Sequence, residues 1–596
     1  MSSSNAFKGG EFLIRALSPS EIFIPEDFTE EQRMISQTCL DFIRTEVHPI
    51  LDEIDFAKDA SVMVGLMDKA GELGLLGTSV PEEFGGFGMD FNTSMLVAEA
   101  TGGGHSFAVA LSAHTGIGTL PIVYYGTEEQ KKAYLPKLAS GEWKAAYCLT
   151  EPDSGSDANA AKTKAKLNAA GTHYVLNGQK MWITNGGFAD LFIVFAKIDD
   201  DKNLTAFLVE KSFAGISMNE EEHKMGIKGS STRQIFFTDC EVPIENLLFK
   251  REGGFKIAVN ILNIGRIKLA AAVIGGAKGI INLATNYSNE RKQFGKSIHE
   301  FGAIQAKLAN MVVRTFASES ACYRAGQNID ESIASLKAAG MADAESKLKG
   351  VEQFAIECAI LKVHGSEVLD YVADEGVQIY GGMGFSAEAP MDRSYRDSRI
   401  NRIFEGTNEI NRLLAIGTVL KRAMKGEIEL MPAAMAVGKE ILGVPDFSTE
   451  VPDGFFGKEY KVIANAKKAI LMTAGAAIQK FTTEIEHQQE ILMGISDMMI
   501  EVYVAESALV RVDKLMLRDG EEKHHIAREC ALVYLHEAID KIANSGKEVI
   551  MGFAKGDELN VLLLGLKRFT KMDAKNLIDA RRQIAQATII KNGYIF

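Results

Sequence analysis

The chain of 596 residues is poor in cysteine, proline and tryptophan, with 6, 12 and 2 of them respectively. The cysteines are widely scattered and form no Cys-x-x-Cys pair, so their spacing indicates neither a zinc site nor a disulfide framework. We therefore expect no metal site and six reduced thiols in a reducing compartment. They are Cys39, Cys148, Cys240, Cys322, Cys358 and Cys530.

Positive charge and long apolar runs are also scarce. The 65 Lys and Arg against 79 Asp and Glu give a net charge of -14, which opposes attraction to nucleic acid. The first residues lack the basic stretch and apolar run of a secretory signal, and Glu11 comes early for an acid-poor transit peptide. Lys268 and Lys278 interrupt the longest apolar stretch before it reaches the roughly 20 residues that span a bilayer. A cytoplasmic protein without a nucleic-acid partner is predicted.

The pattern of apolar residues changes twice along the chain. Helical spacing begins at Thr29, where Thr29 and Gln32 fit a capping box, and residues 81–88 form a turn-rich loop. Near residue 147 the pattern changes to runs of strand-forming residues. Asn177-Gly178 predicts the turn of a hairpin, and further strands are predicted over 191–198, 204–209 and 235–239. Long helices are expected again after Gly253, over 270–287, 304–327, 338–379 and 408–421.

These changes predict a mainly α fold with a central β domain. We divide the chain into an N-terminal segment (1–29), a helical domain (30–146), a β domain (147–252), a helical bundle (253–422) and a C-terminal helical extension (423–596). The extension is expected to open with a loop containing Pro432, Pro445 and Pro452. A β domain between helical domains creates a cleft at the junction, and ligands favour such interfaces.

Three strings combine glycine, hydroxyl, aromatic and charged residues. Tyr-Cys-Leu-Thr-Glu-Pro-Asp-Ser-Gly-Ser-Asp at 147–157 can hold a polar heterocycle or a phosphate, although an ordinary surface turn has the same composition. Trp-Ile-Thr-Asn-Gly at 182–186 places a Trp where it either fills a core or walls an aromatic cofactor. Arg-Lys-Gln-Phe-Gly at 291–295 offers either a bidentate phosphate donor or a solvated charge at a helix end.

The fourth string is the most informative. It runs Gln-Ile-Tyr-Gly-Gly-Met-Gly-Phe at 378–385 and then Ile-Phe-Glu-Gly-Thr-Asn-Glu-Ile at 403–410. Thr407 can cap a helix that begins at Asn408, which leaves Glu405 in the preceding loop, facing a cleft. Apolar walls raise a carboxyl pKa toward neutrality, where general-base catalysis is efficient. By position alone, however, a Glu beside a helix start is more often a surface charge that stabilises the helix dipole.

Taken together, and in this order, the strings resemble the acyl-CoA dehydrogenase family over about residues 30–422. The resemblance implies a helical domain, a β-barrel-like domain and a four-helix bundle, here followed by the extension. It also implies FAD as cofactor and a homodimer that shares the flavin, with Arg291 contributed by the neighbouring subunit. The residues it places against FAD are Tyr147, Leu149, Thr150, Ser156, Trp182, Ile183, Thr184, Arg291, Phe294, Gln378, Gly381, Gly382, Thr407 and Glu409.

The resemblance also assigns the chemistry. Glu405 is the expected base that removes a proton α to a thioester carbonyl, while the N–H of Glu405 and a flavin hydroxyl polarise that carbonyl and the flavin accepts a hydride. Some relatives carry the base just before the Arg of the helix that follows the β domain, but here that position is Gly265, which cannot serve. Substrate contacts are expected from Ser156, Asn263, Arg266, Ala108, Ser112, Phe404 and Gly406.

The extension and the strings at 135–142 and 224–228 look most like the very-long-chain branch of the family. Small residues at Ala108 and Ser112 leave an acyl tunnel open, or merely allow close helix packing. We therefore expect a fatty acyl-CoA of 14 to 18 carbons as substrate, its trans-2-enoyl-CoA as product in the first step of β-oxidation, and electron-transfer flavoprotein as acceptor. The alternatives are an acyl-CoA oxidase that uses oxygen and an assembly factor for a respiratory complex.

One segment of the extension has the pattern of a membrane-surface helix. Lysines surround an apolar series there, as in an interfacial helix, although most amphipathic helices bury that face against their own protein. Peripheral membrane contact is therefore a second, less favoured expectation. The lysines are Lys458, Lys461, Lys467, Lys468 and Lys480, and the apolar residues are Val462, Ile463, Ala466, Ile470, Ala477 and Phe481.

Overall fold

The computed structural model describes residues 7–57, 59–443 and 454–596. The predicted mainly helical fold with a central β domain is confirmed. Helices form the first part of the chain: α1 (Glu30–Phe42), α2 (Leu51–Phe56), α3 (Ser61–Glu72), α4 (Phe91–Thr101), α5 (Ser106–Ser112), α6 (Leu120–Tyr125) and α7 (Glu128–Ser140). Helix α1 begins where the pattern predicts, because the Thr29 side chain accepts from the Gln32 N–H and the Gln32 side chain bonds back to Thr29.

An eight-stranded sheet follows. Its strands are β1 (Ala145–Cys148), β2 (Lys164–Leu167), β3 (His173–Thr184), β4 (Leu191–Ile198), β5 (Thr205–Glu210), β6 (Ile216–Met218), β7 (Thr232–Pro243) and β8 (Leu247–Leu248). The order is β6-β7-β3-β2-β4-β5-β8, and β1 pairs in parallel with β4. Strand β4 is buried along nearly its whole length, which explains its unbroken apolar sequence.

The hairpin predicted at Asn177-Gly178 is wrong. Both residues lie inside β3, which pairs with β7 on either side of an irregularity between Leu176 and Gly178. A Cβ at Gly178 would lie 2.5 Å from the Thr163 hydroxyl oxygen, so this glycine lets β3 pass close to a neighbouring segment. The Asn-Gly pair therefore marks a bulge and a close approach rather than a chain reversal.

Long helices form the rest of the chain. The bundle contains α8 (Gly254–Glu290), the short hairpin β9 (Lys292–Gln293) and β10 (Lys296–Ser297), α9 (Gly302–Ala338), α10 (Asp343–Gln353), α11 (Ala355–Tyr380), α12 (Pro390–Ser398) and α13 (Asn408–Met424). The single helix expected over 338–379 is wrong, because α10 and α11 are separated at Phe354. The extension contains α14 (Leu430–Leu442), α15 (Gly457–Phe481), α16 (Gln489–Asp519), α17 (His525–Phe553), α18 (Gly556–Phe569) and α19 (Leu577–Lys591).

One expectation for the extension is wrong, and a second, about the apolar face of α15, agrees with the alternative that the sequence favoured. Pro432 lies near the start of α14 and not in a loop, since proline is tolerated in a first helical turn. Pro445 and Pro452 lie outside the described residues. The apolar face of α15 is turned inward: Ile463, Ala466, Ile470 and Ala477 are buried, and α15 packs against α14, α16, α17 and α18. The commoner alternative, burial against the protein itself, is what this face adopts.

The N-terminal segment packs onto the bundle and the extension. Phe12 makes an edge contact with Tyr503 of α16, and Lys514 of α16 donates to the Ile22 carbonyl. The guanidinium of Arg422 in α13 donates to the Gly9 carbonyl. This segment is therefore part of the surface that joins the bundle to the extension.

Two helical stretches, Ser106–Tyr125 and Gly254–Glu290, are long and apolar enough to pass a length-and-composition test for crossing a membrane. The second passes despite Lys268 and Lys278. Most residues in both stretches are buried within the protein, as they are in core helices of soluble proteins that meet the same test.

Candidate active site

A cavity of about 600 Å³ lies between the helical domain, the sheet and the bundle. Small and aliphatic side chains form most of its wall. On α8 these run from Ile261 to Leu283, 22 residues further along, a distance of about 33 Å at 1.5 Å per residue. Ala108 and Ser112 line the cavity from α5, Thr184 from the end of β3, and Phe404 and Glu405 from the loop before α13. The structure thus brings these five predicted site residues to one space.

The backbone around Glu405 is unusual. Glu405 has φ 58° and Gly406 has φ 84°, so two consecutive residues lie in the left-handed region. For a residue with a side chain this conformation persists only where the surroundings enforce it, and such residues cluster at functional sites. Thr407 then caps α13, as predicted, by accepting from the Ile410 N–H. The loop therefore ends in a rigid helix while its strained part projects the Glu405 side chain into the cavity.

The carboxyl group of Glu405 lies in an apolar, enclosed setting. Its Oε2 atom is shielded from solvent and has no hydrogen-bond partner in the described part of the chain. Burial raises the pKa of Glu405 to about 7, and the nearby cations Arg266 and Lys362 oppose that rise. A carboxylate of this kind is a suitable general base near neutral pH.

Gly265 faces Glu405 from α8. A Cβ at position 265 would lie 2.7 Å from Oε2 and 2.8 Å from the carboxyl carbon of Glu405. The two positions that can carry the base in relatives therefore meet at one point here. The missing side chain at Gly265 leaves the space that the Glu405 carboxylate occupies.

Three side chains donate to the backbone carbonyls of the loop. The Arg266 Nε donates to the Glu405 carbonyl at 3.1 Å, and its NH1 donates to the Asn263 Oδ1 at 2.7 Å. The Asn411 Nδ2 donates to the Gly406 and Thr407 carbonyls at 2.8 and 3.0 Å. The Lys362 ammonium donates to the Gly406 carbonyl at 2.7 Å. Asn263 and Arg266, predicted as substrate contacts, thus support the loop from behind.

Residues 147–157 enter the site at the end of β1. Tyr147 and Leu149 are buried, Thr150 is half-buried, and Ser156 is exposed. The Tyr147 hydroxyl is buried and has no hydrogen-bond partner among the described residues. The Met181 N–H donates to the Thr150 carbonyl at 2.9 Å, which joins this loop to β3.

A buried ion pair fixes that loop. The Lys180 ammonium donates to Glu151 Oε1 at 2.6 Å and to the Leu149 carbonyl at 3.2 Å. Glu151 also accepts the N–H groups of Lys162 and Thr163. Neither Glu151 nor Lys180 was singled out from the sequence as a structural pair, because nothing local shows that residues 29 positions apart meet.

The second string bends where it meets the cavity. Trp182 has φ 59° at a second irregularity of β3, between Lys180 and Ile183, and its indole is 52% exposed. Ile183 is buried, and the Asn185 side chain donates to the Ala110 carbonyl. The bulge therefore turns Trp182 outward and Thr184 toward the cavity.

The other predicted cofactor residues lie elsewhere. Arg291, Phe294, Gln378, Gly381 and Gly382 are all exposed, and Phe294 is 92% exposed. They lie at or just beyond the C-terminal ends of α8 and α11. The rings of Tyr287 and Tyr380 stack there, with their centroids 4.0 Å apart. Arg291 is 26 residues beyond Gly265, about 39 Å along the helix. Within one chain the structure does not bring this second group to Thr150, Trp182 and Glu405.

Two predicted site residues remain, Gly406 for the substrate and Glu409 for FAD. Gly406 lies in the loop, where a Cβ would approach Asn411 Nδ2 to 3.1 Å. Glu409 is exposed on the first turn of α13, and hydrogen bonding to the backbone N–H at its own position is the main reason its pKa is lowered. It is therefore an ionised surface group rather than a second base.

Lys362 is a site residue that the sequence analysis missed. It is completely buried, and burial lowers its pKa to about 8 although Glu405 opposes that effect. A signal was available, because Lys362 interrupts the apolar run Ala359-Ile360-Leu361 before Val363. A charged residue in such a run needs a buried partner.

The residues present fit a flavin. The buried Tyr147 hydroxyl has no partner in the part of the chain that the structure describes, the Trp182 indole offers an open aromatic face, and Thr184 borders the same cavity as Glu405. A Cβ at Gly381 or Gly382 would meet open space, so a ligand can approach that backbone. Across the described ranges, no group of three or more His, Cys, Asp and Glu side chains is arranged to hold a metal ion.

Comparison with known proteins gives consistent matches along most of the chain. Acyl-CoA dehydrogenase N-terminal, middle and C-terminal domains match residues 29–142, 146–240 and 252–420, and a further acyl-CoA dehydrogenase C-terminal domain matches residues 465–568. A probable acyl-CoA dehydrogenase of Bacillus subtilis is 47% identical over 578 residues, covering 97% of both chains. The very long-chain specific acyl-CoA dehydrogenase of Macaca fascicularis mitochondria is 38% identical over 542 residues, covering 83% of this chain and 77% of the relative.

Among solved structures, the acyl-CoA dehydrogenase of Bacillus anthracis in complex with FAD superimposes with a TM-score of 0.96. It is 47% identical, and the match covers 99% of this chain and all of that one. The fold and the site thus define an FAD-dependent oxidoreductase. More specifically, the chain belongs to the acyl-CoA dehydrogenase family.

Proposed function

We propose that this enzyme dehydrogenates long-chain fatty acyl-CoA to the trans-2-enoyl-CoA, the first step of fatty-acid β-oxidation. The observation that carries the proposal is the position of Glu405 on the wall of a cavity that follows α8 for about 33 Å, with its Oε2 atom unpartnered among the described residues. The cavity supplies room for the chain, and the carboxylate supplies the base.

In the proposed mechanism, the Glu405 carboxylate removes a proton from the carbon α to the thioester carbonyl. Its backbone N–H donates to the thioester oxygen, where negative charge develops. Bound FAD would supply the acceptor for the hydride that leaves Cβ as the double bond forms. Arg266, Asn411 and Lys362 keep the loop in its left-handed conformation, so that the carboxylate and the N–H stay directed at one substrate.

We assign the flavin to Tyr147, Leu149, Thr150, Ser156, Trp182, Ile183, Thr184, Thr407 and Glu409 of one chain. Arg291, Phe294, Gln378, Gly381 and Gly382 would complete the site from a second chain. What supports this division is their separation within one protomer and the near-complete exposure of Phe294. The working enzyme is therefore proposed to be a homodimer, and sedimentation of the FAD-loaded protein tests it.

The proposed chain length of 14 to 18 carbons rests on the dimensions of the cavity. The hydrocarbon core of a bilayer is about 30 Å thick and holds two acyl chains end to end, so one lipid chain spans about 15 Å. From Gly265, beside the base, to Gly276 is 11 residues of α8, about 16 Å, and the lining continues beyond it. Ala108, Ser112 and Phe404 are the other proposed contacts with the acyl group.

Electron-transfer flavoprotein is the proposed acceptor, since the domains that match are those of dehydrogenases. An acyl-CoA oxidase would instead form peroxide. The test has two steps. The FAD-loaded protein is first titrated anaerobically with acyl-CoAs of increasing length, and the reduced protein is then exposed to air. We expect the flavin to bleach best with palmitoyl-CoA and to reoxidise slowly with oxygen. A best response to hexanoyl-CoA or shorter chains contradicts the substrate, and rapid peroxide release contradicts the acceptor.

We also propose a cytoplasmic location, supported by six buried cysteines that form no disulfide. Membrane contact through the inward face of α15 is not proposed, because Ile463, Ala466, Ile470 and Ala477 are already buried and Val462 and Phe481 are half-buried. Flotation with anionic vesicles at low salt should leave the protein in the soluble fraction, and recovery with the vesicles would show that another surface docks.

A further inference from the structure

The Glu405 loop is connected to the C-terminal extension by continuous hydrogen bonds. The first connection is buried: Lys362 donates to the Gly406 carbonyl at 2.7 Å and to Asn408 Oδ1 at 2.8 Å. Lys362 is fully buried and Asn408 nearly so. Since an ammonium group donates in three directions with little preference of its own, its acceptors determine where it sits. Asn408 therefore helps to keep Lys362 on the Gly406 carbonyl.

The connection continues outward through α11 and α13. The Asn408 Nδ2 donates to Glu367 Oε1 at 3.1 Å. Arg412, one turn further along α13, holds the same carboxylate with NH1 at 2.8 Å and NH2 at 3.1 Å. This two-pronged contact fixes the orientation of both groups.

The last member belongs to the extension. The Arg412 Nε donates to Asp497 Oδ1 at 2.7 Å, and Asp497 lies on α16. Two acidic groups thus share one guanidinium, one from the bundle and one from the extension. Each member in the sequence from Asp497 to the Gly406 carbonyl contacts the next directly.

The loop needs such support because its conformation is unfavourable by itself. Glu405 carries a side chain yet has φ 58°, and among the described residues its Oε2 atom has no hydrogen-bond partner that would hold it. A shift of the Gly406 carbonyl would move the Glu405 N–H and carboxylate together, and small displacements of catalytic groups reduce rates strongly.

We propose that Asp497 is a positioning residue for Glu405, through which the C-terminal extension holds the catalytic loop in its working geometry. This inference rests on the proposed role of Glu405 as base. It makes the extension part of the active-site architecture rather than a separate appendage. Asp497 acts through Arg412, Glu367, Asn408 and Lys362 and touches neither substrate nor cofactor.

The pH profile provides a readout that a merely structural role would not move. The charged groups that face Lys362 are Arg266 from α8, Glu405 from the loop, Glu409 and Arg412 from α13, Glu367 from its own helix and, beyond them, Asp497 from α16. Burial raises the pKa of Glu405, and the Lys362 cation opposes this rise. Loosening Lys362 therefore moves the acid limb of the rate profile to higher pH.

The experiment uses the FAD-loaded full chain with Asp497→Ala, the rescue variant Asp497→Glu, and the control Glu490→Ala, which removes an exposed carboxylate from the same helix. Stopped-flow flavin reduction by palmitoyl-CoA gives the rate constant and the apparent Kd separately. Hydrogen–deuterium exchange of peptides covering residues 403–411 reports on the loop without turnover.

For Asp497→Ala we expect flavin reduction about tenfold slower, an unchanged Kd, an acid limb at higher pH and faster exchange in the loop. Asp497→Glu should restore most of the rate, and Glu490→Ala should match the parent protein. An unchanged reduction rate, pH profile and loop exchange in Asp497→Ala overturns the inference, whether or not the melting temperature falls. Failure of the parent protein to bleach with any acyl-CoA would instead reject the proposed function, so the two failures are distinguishable.

Discussion

At the scale of single residues, the chemistry depends on one carboxyl group whose surroundings change its acidity. Glu405 has a reference pKa of 4.5, and burial raises it to about 7. The charged form is the base, so activity belongs to the pH range above that value. The raised pKa also means that the folded protein favours the neutral carboxyl, so this group's contribution to stability falls as the pH rises from about 4.5 to about 7 and changes no further above that.

The rate of flavin reduction by the free enzyme should therefore rise with pH through a midpoint near 7. Below this midpoint Glu405 is protonated and cannot accept a proton. Stopped-flow measurements from pH 5.5 to 9 at subsaturating palmitoyl-CoA check this. A profile already flat from pH 5.5 upward would show that Glu405 keeps an ordinary carboxyl pKa.

Gly265→Ala should reduce flavin reduction by about 10²-fold, because the added Cβ takes the space of the Glu405 carboxyl group and displaces it. Alanine favours a helix over glycine by about 1 kcal/mol, so α8 itself should not be weakened. The matched control is Gly417→Ala, in the middle of α13 and outside the cavity, where a Cβ meets open space. Equal rates for the two variants would mean that the carboxylate does not lie against Gly265.

At the scale of the elements, part of the architecture could be predicted because its causes are local. The Thr29 and Gln32 cap and the Thr407 cap depend on residues three positions apart, and both form as predicted. The predicted turn at Asn177-Gly178 was wrong because the glycine is required by a tertiary contact: β3 passes close to Thr163 there. No local pattern reveals that approach.

The same distinction applies to the site. The Glu405 loop could be located from its own string, as could the loop at 147–157. The supports from Lys362 and Arg266 come from helices 43 and 139 residues away from Glu405, and sequence spacing alone gives no contact between them. What the sequence leaves open is therefore which distant polar groups hold the loop.

Helix α8 is predicted to set the limit on acyl chain length. Gly276→Leu places a branched side chain in the cavity about 16 Å beyond Gly265. We expect kcat/KM for palmitoyl-CoA and stearoyl-CoA to fall by about tenfold or more while octanoyl-CoA is unaffected, since one misplaced side chain in a tunnel excludes atoms that must occupy the same space. The variant Gly65→Leu, on the exposed face of α3, serves as control. An equal loss of kcat/KM for all acyl chain lengths would contradict the proposed path of the acyl chain along α8.

At the scale of the whole molecule, buried charges join the domains. Arg511 of α16 pairs with Glu319 of α9 at 2.6 Å and with Glu26 of the N-terminal segment at 2.6 Å. Lys278 of α8 pairs with Glu319 and also with Glu99 of α4. The extension, the bundle and the helical domain thus share one network, and Arg511 and Glu319 are almost fully buried.

Removing one member should be costly. Arg511→Met is expected to lower the free energy of unfolding by about 3 kcal/mol, because it leaves buried carboxylates with less compensating charge. Arg44→Met, which breaks the exposed pair with Asp41, should change it by less than about 1 kcal/mol. Urea unfolding followed by circular dichroism compares the two variants. Similar losses in both would mean that the buried network contributes no more than a surface pair.

The network also gives a prediction for acid stability. Burial alone would raise the pKa of Glu319, but Lys278 and Arg511 outweigh it and lower that pKa well below the ordinary value. A lowered carboxyl pKa contributes stability above pH 4.5 that is lost as the pH falls further. The parent protein should therefore lose more stability between pH 5 and 3 than Arg511→Met does. A steeper loss in the variant would reverse the assigned sign.

The most direct test of the central claim is single-turnover reduction of the FAD-loaded Glu405→Gln variant by palmitoyl-CoA under anaerobic conditions. Glutamine keeps the size of the side chain but cannot accept the proton. We expect the flavin of the parent protein to bleach rapidly and that of the variant to bleach at least about 10²-fold more slowly. The variant should still bind the substrate and melt no lower at pH 8, because it lacks the buried charge. Unimpaired bleaching by Glu405→Gln would contradict the claim that Glu405 is the base.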